Sequence, residues 1–335
     1  MSSLTADGLS TSGELTTSGG LTVTGTTTGT TTDTTTTTTT TDTTGTTTAQ
    51  PDLSNLLTIV VTSSPAKCNP HLNMLDIVVQ SFSIVPGLSK CHTIVMCDGY
   101  KRGKKHRPSR GIIDEKSAKA YEKFLENVRI ASNTVGNTLH DVQVVVQPER
   151  LGFGFAVKRA VEEFVTTPYV MVVHHDQRYR RTFDLPSIVS EMMENTQINY
   201  VGVLSPGTLG YENKCQSTKE LPNPTNGVLT CKSSGRMVPL YVWFDRNHVA
   251  STSFYKENVF TSGLVRKGTF IEDCYGQQML KDIKENGLDA HKKYGCYFYD
   301  DGIDESMIHH IDGRRWMTPE QRKERGLPEQ KDIMK

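Results

Sequence analysis

The chain has no continuous apolar run of the length needed to cross a bilayer, and its amino terminus carries neither the basic residues nor the apolar stretch of a secretory leader. The expectation is a soluble protein without a transmembrane segment. Its cysteines, at 68, 91, 97, 215, 231, 274 and 296, are odd in number and never form a CxxC pair, and no Asn-X-Ser/Thr acceptor without proline occurs. Both absences favour free thiols and a reducing compartment, the cytoplasm slightly ahead, while leaving a Cys215–Cys231 disulfide open. Net charge is missing too, because 37 basic residues balance 37 acidic ones. A nucleic-acid-binding protein driven by bulk charge needs a basic excess, so that partner class is excluded. The local basic loop Tyr100 to Arg110 reads either as solvated surface or as a contact for phosphate or another anion.

What the chain has in excess is threonine. Residues 1–52 are dominated by Thr, Gly and Ser, as in TTTGTTTDTTTTTTTTDTTGTTTAQPD. Such a segment buries too little apolar surface to offset the entropy of ordering it, so it is expected to be a disordered arm outside the fold. Roughly 280 residues remain, enough for one large α/β domain.

From Leu56 onward the pattern alternates. LLTIVVTSS (Leu56 to Ser64), HTIVMCDGY (His92 to Tyr100) and DVQVVVQP (Asp141 to Pro148) read as buried strands. Between them lie helical spacings, with Leu72, Leu75, Val79 and Phe82 on one and Asp114 to Ser132 on the next. Gly152 to Thr167 is a third helix, and YVMVVHHDQ follows as a strand that stops on His174, His175 and Asp176. Strand and helix in this order imply parallel pairing by right-handed crossovers, with all strand ends on one edge. Ligands bind at that edge in open α/β sheets. Ser63, Asp98, Arg150 and Asp176 are therefore expected to meet there, and a His-His-Asp cluster there could hold a divalent cation.

The block ERLGFGFAVKRAVEEFVTTPYVMVVHHDQ resembles the corresponding stretch of family-2-like glycosyltransferases of the GT-A fold. In those proteins a Gly- and Ala-containing helix with a basic residue leads into a strand ending in Asp-X-Asp. The resemblance implies a Rossmann-like, mostly parallel central sheet flanked by helices, a nucleotide-sugar donor (a UDP-sugar first), Mn²⁺ or Mg²⁺, and a glycan, glycolipid or protein acceptor. Asp176 matches the metal-contacting second Asp, and His174 stands where the first would be, at the ribose or the metal. Ser63 and Asp98 fall near the base and ribose, with Arg150 and Lys158 as further nucleotide contacts. Residues 53–204 then form the nucleotide-sugar half, 205–316 the acceptor and catalytic half, and 317–335 a tail.

In the second half, Ser205 to Met237 has no clear periodicity and reads as an excursion over the active-site edge. Trp243 is either core or a platform that stacks on a sugar beside Asp245. Glu272 and Asp273 precede a helix whose Met279, Leu280 and Ile283 face a core, so the two carboxylates either cap it or do chemistry. The family resemblance implies chemistry, with Asp273 as the base of an inverting transfer and Glu272 orienting the acceptor. It also implies a carboxyl-terminal metal ligand, His309 or His310. A GT-A domain that binds nucleotide-sugar without catalysis, and a His/Asp metal-dependent hydrolase, are the competing readings.

Overall fold

Leu57–Ser63 forms β1, a strand buried along its whole length, as its β-branched apolar run demands. The computed structural model that places it describes residues 50–104, 111–232, 234–313 and 316–326. The Thr-rich arm expected over 1–52 lies outside the described residues as far as 49. So do 105–110 of the basic loop and the end of the tail from 327 onward.

After β1 come α1 (Asn73–Gln80), β2 (His92–Cys97), the short pair β3 (Lys101–Arg102) and β4 (Ile112–Ile113), α2 (Glu115–Ser132), β5 (Gln143–Val146), α3 (Phe153–Glu163) and β6 (Tyr169–His174). The second half begins with β7 (Gln177–Tyr179), α4 (Leu185–Glu194), β8 (Tyr200–Gly202), α5 (Tyr211–Gln216), β9 (Leu229–Thr230) and β10 (Arg236–Pro239). It continues with β11 (His248–Ser251), α6 (Thr252–Phe254), α7 (Gln277–Tyr294), β12 (Cys296–Asp300), β13 (Ile308–His310) and α8 (Pro319–Glu324).

Nine strands make one sheet in the order β5-β2-β1-β6-β11-β8-β12-β10-β9. The first four run parallel. β11 is antiparallel to both β6 and β8, β12 is parallel to β8, and β10 is antiparallel to both β12 and β9, so two strands of the sheet, β11 and β10, run against the rest. This is the mixed α/β, mostly parallel sheet flanked by helices that the alternation predicts. Register fixes which residues share the edge: Ser63 pairs with Cys97, Cys97 with Val146, and Thr62 with His174.

The helices hold that edge still. Asp114 caps α2 by accepting the Ser117 amide at 2.8 Å, and Ala118, Tyr121, Phe124 and Val128 bury one face at helical spacing. Met279, Leu280 and Ile283 of α7 are buried, as their spacing predicts. Trp243 is fully enclosed by Tyr200, His248, Tyr255 and Tyr275, so of its two readings it is core.

The stretch from 205 to 237 differs from the excursion expected. It contains α5, whose Tyr211 and Cys215 are buried, and Tyr211 Oη accepts the Tyr241 amide at 2.9 Å. Arg236 then ties Glu212 of α5 to Asp300 of β12. The segment packs on the far strands of the sheet because its few apolar residues find partners there. Cys215 and Cys231 are both buried as free thiols.

Candidate functional site

The strand ends meet as the topology requires, but several side chains are put to uses the sequence does not reveal. Asp98, one residue beyond β2, accepts the amides of Leu151 at 2.7 Å and Gly152 at 3.0 Å, and that of Gly99 at 2.9 Å. It thereby clamps the turn between β5 and α3. Burial raises its carboxyl pKa, and those three amides together with the Arg150 charge offset only part of the rise. Arg150 is thus held beside Asp98, its side chain lying over Gly111 and Gly268. Gly152 has φ 77°, and a Cβ there would sit 2.6 Å from the Gly268 Cα, so the turn needs glycine for close approach of two backbones. Gly154 donates its amide to the Thr269 carbonyl at 3.1 Å. The turn Gly152-Phe153-Gly154 is therefore a packed entry to α3, with its two glycine amides spent on Asp98 and Thr269.

On the central strand, Ser63 Oγ lies 3.0 Å from His175 Nδ1, joining the ends of β1 and β6. His174 stacks on Phe153, centroids 4.7 Å apart and planes 9° from parallel, and Phe153 stacks in turn on the exposed Phe270. The His174 ring donates through Nε2 to the Asp245 carbonyl. Burial pushes its pKa down to about 4, so it is a neutral ring with a fixed tautomer.

Asp176 is the junction with the carboxyl-terminal part of the chain. Its Oδ2 accepts from His310 Nε2 at 3.2 Å and from the Gly313 amide at 3.0 Å, while its carbonyl accepts the Ile311 amide at 2.7 Å. Burial works against the ionised carboxyl, but the His310 hydrogen bond and the neighbouring imidazoles outweigh it and hold the pKa well below the usual range. The same bond raises the pKa of His310. His309, the alternative partner, points away: it lies opposite Arg178 across the β7–β13 ribbon, whereas His310 lies opposite Gln177. Strand alternation lets only one of two adjacent histidines reach Asp176.

The segment Asp245 to Asn247 connects this junction to the start of α7. Asp245 Oδ2 accepts the Glu272 amide at 3.0 Å, and the Asp245 amide faces Glu272 Oε2 at 3.4 Å. Asn247 Oδ1 accepts the His174 amide at 3.2 Å, and its Nδ2 donates to the Gln177 carbonyl at 3.2 Å. Asp245 is buried with its Oδ1 unpartnered, and burial raises its pKa well above the carboxylate range. In the sequence Asp245 reads only as a neighbour of Trp243, and the brace itself is not visible. Its one signal is the polar triplet Asp245, Arg246 and Asn247 between the apolar run LYVWF and the strand that starts at His248. Glu272 is buried in the first, π-helical turn before α7, and the adjacent Asp273 is exposed. Lys158 lies along the flank of α3, 3.8 Å from Glu162 and over the Phe155 ring, instead of at the helix start.

Could these residues hold a divalent cation? Among the described residues no group of three His, Cys, Asp or Glu is gathered as a cage. What is present is one carboxylate against one imidazole, Asp176 and His310. A small hard cation that keeps few protein ligands and completes its shell with phosphate oxygens and water fits that donor set.

No protein-family model and no curated protein matches the sequence. Solved structures are similar in outline. TarS of S. aureus gives a TM-score of 0.39 at 12% identity, over 76% of this chain and 36% of its own. Glucosyl-3-phosphoglycerate synthase from Mycobacterium tuberculosis, in complex with Mn²⁺, UDP and glucosyl-3-phosphoglycerate, gives 0.37 at 14% identity, over 82% of this chain and 81% of its own. GalNAc-T7 with UDP, GalNAc and Mn²⁺ gives 0.40 at 11% identity, over 79% and 45%. The chain thus spans about a third of TarS. Likeness at this level leaves the activity to be argued from the site itself. No helix among the described residues is long and apolar enough to cross a membrane.

Proposed function

We propose that the chain is a glycosyltransferase that moves a sugar from a nucleotide-diphospho-sugar, a UDP-sugar first, to a hydroxyl of a glycan, glycolipid or protein acceptor. The observation that carries this reading is the convergence at one sheet edge: Asp176 meets His310, and the Asp245–Asn247 brace ties that strand end to the turn bearing Glu272 and Asp273. Asp176 and His310 are the residues that would hold Mn²⁺ or Mg²⁺, which when bound supplies Lewis-acid stabilisation of charge on a departing diphosphate. Ser63, Asp98 and Arg150 shape the nucleoside side, with Asp98 acting through the turn it clamps. His174, already donating to Asp245, positions the strand end.

Asp273 is the base. Its exposed carboxylate accepts the proton of the acceptor hydroxyl as that oxygen attacks the anomeric carbon, and buried Glu272 fixes the turn from which it projects. Attack on the face opposite the leaving group inverts the anomeric configuration. A thermal-shift screen of nucleotide-sugars with and without Mn²⁺ finds the donor, since a ligand bound to the native state raises Tm. On that donor, Asp273→Asn should lower turnover on the order of 10²-fold with donor affinity unchanged. Retained turnover or a retained anomeric configuration would make Asp273 a surface residue. The commitment of His174 to Asp245 favours a second reading, a nucleotide-sugar binder without catalysis. Metal-dependent release of UDP from the donor overturns it.

A further inference from the structure

The turn that carries Asp273 is preceded by a ring left bare. Phe270 is 45% exposed, the only exposed Phe, Tyr or Trp among the described residues. Its inner face lies on Phe153 with centroids 5.5 Å apart, and Phe153 lies in turn on His174 at 4.7 Å. The His174 ring is fixed by the Asp245 carbonyl, so the column of three rings is anchored at the end of β6. The loop that brings Phe270 there is pinned as well. The Gly268 amide donates to the Leu151 carbonyl at 2.6 Å, the Gly154 amide to the Thr269 carbonyl at 3.1 Å, and Lys267 pairs with Glu149 at 2.5 Å. On the other side, the Cys274 thiol donates to the Phe270 carbonyl at 3.0 Å. Phe270 is thus held in place with its outer face open to water.

A single exposed apolar side chain is ordinary, but this one is flat, rigidly backed and close to the exposed carboxylate of Asp273. The two residues are three apart in sequence, so their Cα atoms lie within about 11 Å of each other. An aromatic ring presents a negative face, and a sugar ring presents a face of C–H groups that is apolar and slightly positive. We infer that Phe270 is the platform for the acceptor and that the acceptor is a terminal sugar. One face of the sugar stacks on the ring while a hydroxyl at its edge reaches Asp273. The inference rests on the transferase reading, which supplies the role of Asp273, and narrows its acceptor to the sugar end of a glycan or glycoconjugate. An acyl chain or a serine hydroxyl of a peptide offers no flat face to such a ring.

The test is saturation-transfer NMR of the intact chain with the methyl pyranosides of glucose, galactose, N-acetylglucosamine and N-acetylgalactosamine. Wild type is compared with Phe270→Leu, which keeps apolar bulk but loses the flat face, and with Phe270→Trp, which enlarges it. In wild type at least one glycoside should take up saturation on the C–H protons of one face. Its binding should weaken roughly threefold to tenfold in Phe270→Leu and persist in Phe270→Trp, which separates lost stacking from lost fold. A second arm titrates UDP with Mn²⁺ into wild type and Phe270→Leu, where equal affinity is expected. A fall in UDP affinity matching that of the glycoside would assign the ring to the donor's base and overturn the inference. So would equal glycoside binding in Phe270→Leu. If UDP with Mn²⁺ binds wild type and no glycoside does, the platform falls and the transferase reading stands. If UDP with Mn²⁺ fails to bind while glycoside contact still depends on Phe270, the transferase reading falls and the sugar platform stands.

Discussion

Replacing Asp98 with Ala removes the acceptor for two amides outside its own turn, Leu151 at 2.7 Å and Gly152 at 3.0 Å. Gly152 is buried and Leu151 half-buried, so the first has no water to replace the carboxylate and the second has some. At about 1–3 kcal/mol for each orphaned donor, with water returning part of the Leu151 share, the loss is about 2–4 kcal/mol. That is a large fraction of a typical stability of about 5–15 kcal/mol, and corresponds to a fall in Tm of roughly 5–15 °C. Urea unfolding with an unchanged m-value measures it. The pH dependence has a definite sign. Burial raises the folded pKa above the unfolded value of about 4, so the protonated side chain is favoured in the fold. The stability this gives is present below about pH 4, declines as pH rises to the raised folded value, and is level above it. Asp98→Asn keeps one oxygen and cannot ionise, so it should lose less than Asp98→Ala at neutral pH. A loss below about 1 kcal/mol for Asp98→Ala would refute the clamp, because orphaned amides cost more than that.

Two other substitutions test the packing around the edge. Burial raises the Asp76 carboxyl on α1 to about 6, and its Oδ1 has no partner, so ionisation costs the fold stability between about pH 4 and 6. Asp76→Asn should therefore stabilise by about 1 kcal/mol above pH 6, after discounting for the exposed part of the carboxyl, and by nothing at pH 4. An equal effect at both pH values in chemical denaturation would refute this account. Gly152→Ala must place a Cβ 2.6 Å from the Gly268 Cα at φ 77°, and should destabilise by more than about 2 kcal/mol in the same assay. Wild-type stability in that variant would mean the Gly268 loop does not lie on the start of α3.

The central strands were legible because each is a short, β-branched run bounded by polar residues, and burial on both faces leaves no other reading. Their ends were drawn too long. Asp141 to Pro148 shrinks to Gln143–Val146, since Asp141 takes a left-handed φ of 62° that no strand tolerates. Helix α5 escaped notice because six residues with two buried positions are too few to show a period. That these strand ends share one edge followed from topology alone, and there Asp98 lies beside both Ser63 and Arg150. What each side chain does there could not be read. Asp98 spends its oxygens on amides that become neighbours only when β5 lies beside β2, and His174 spends its ring on a carbonyl 71 residues away.

The choice between His309 and His310 shows why this limit is physical. Sequence presents the pair as equivalent, yet pairing of β13 with β7 sends one imidazole to each face, and a slip of one residue would exchange them. The register is pinned from outside the ribbon. Ile308 and Tyr179 are both buried, and the Met307 amide donates to the Leu204 carbonyl at 2.8 Å. Exchanging the histidines would expose Ile308 and break that contact with the main sheet. The apolar residues therefore decide which histidine meets Asp176 and which joins Arg178. One ribbon only two strands wide thus sets the Asp176–His310 pair on one face and Arg178 with His309 on the other.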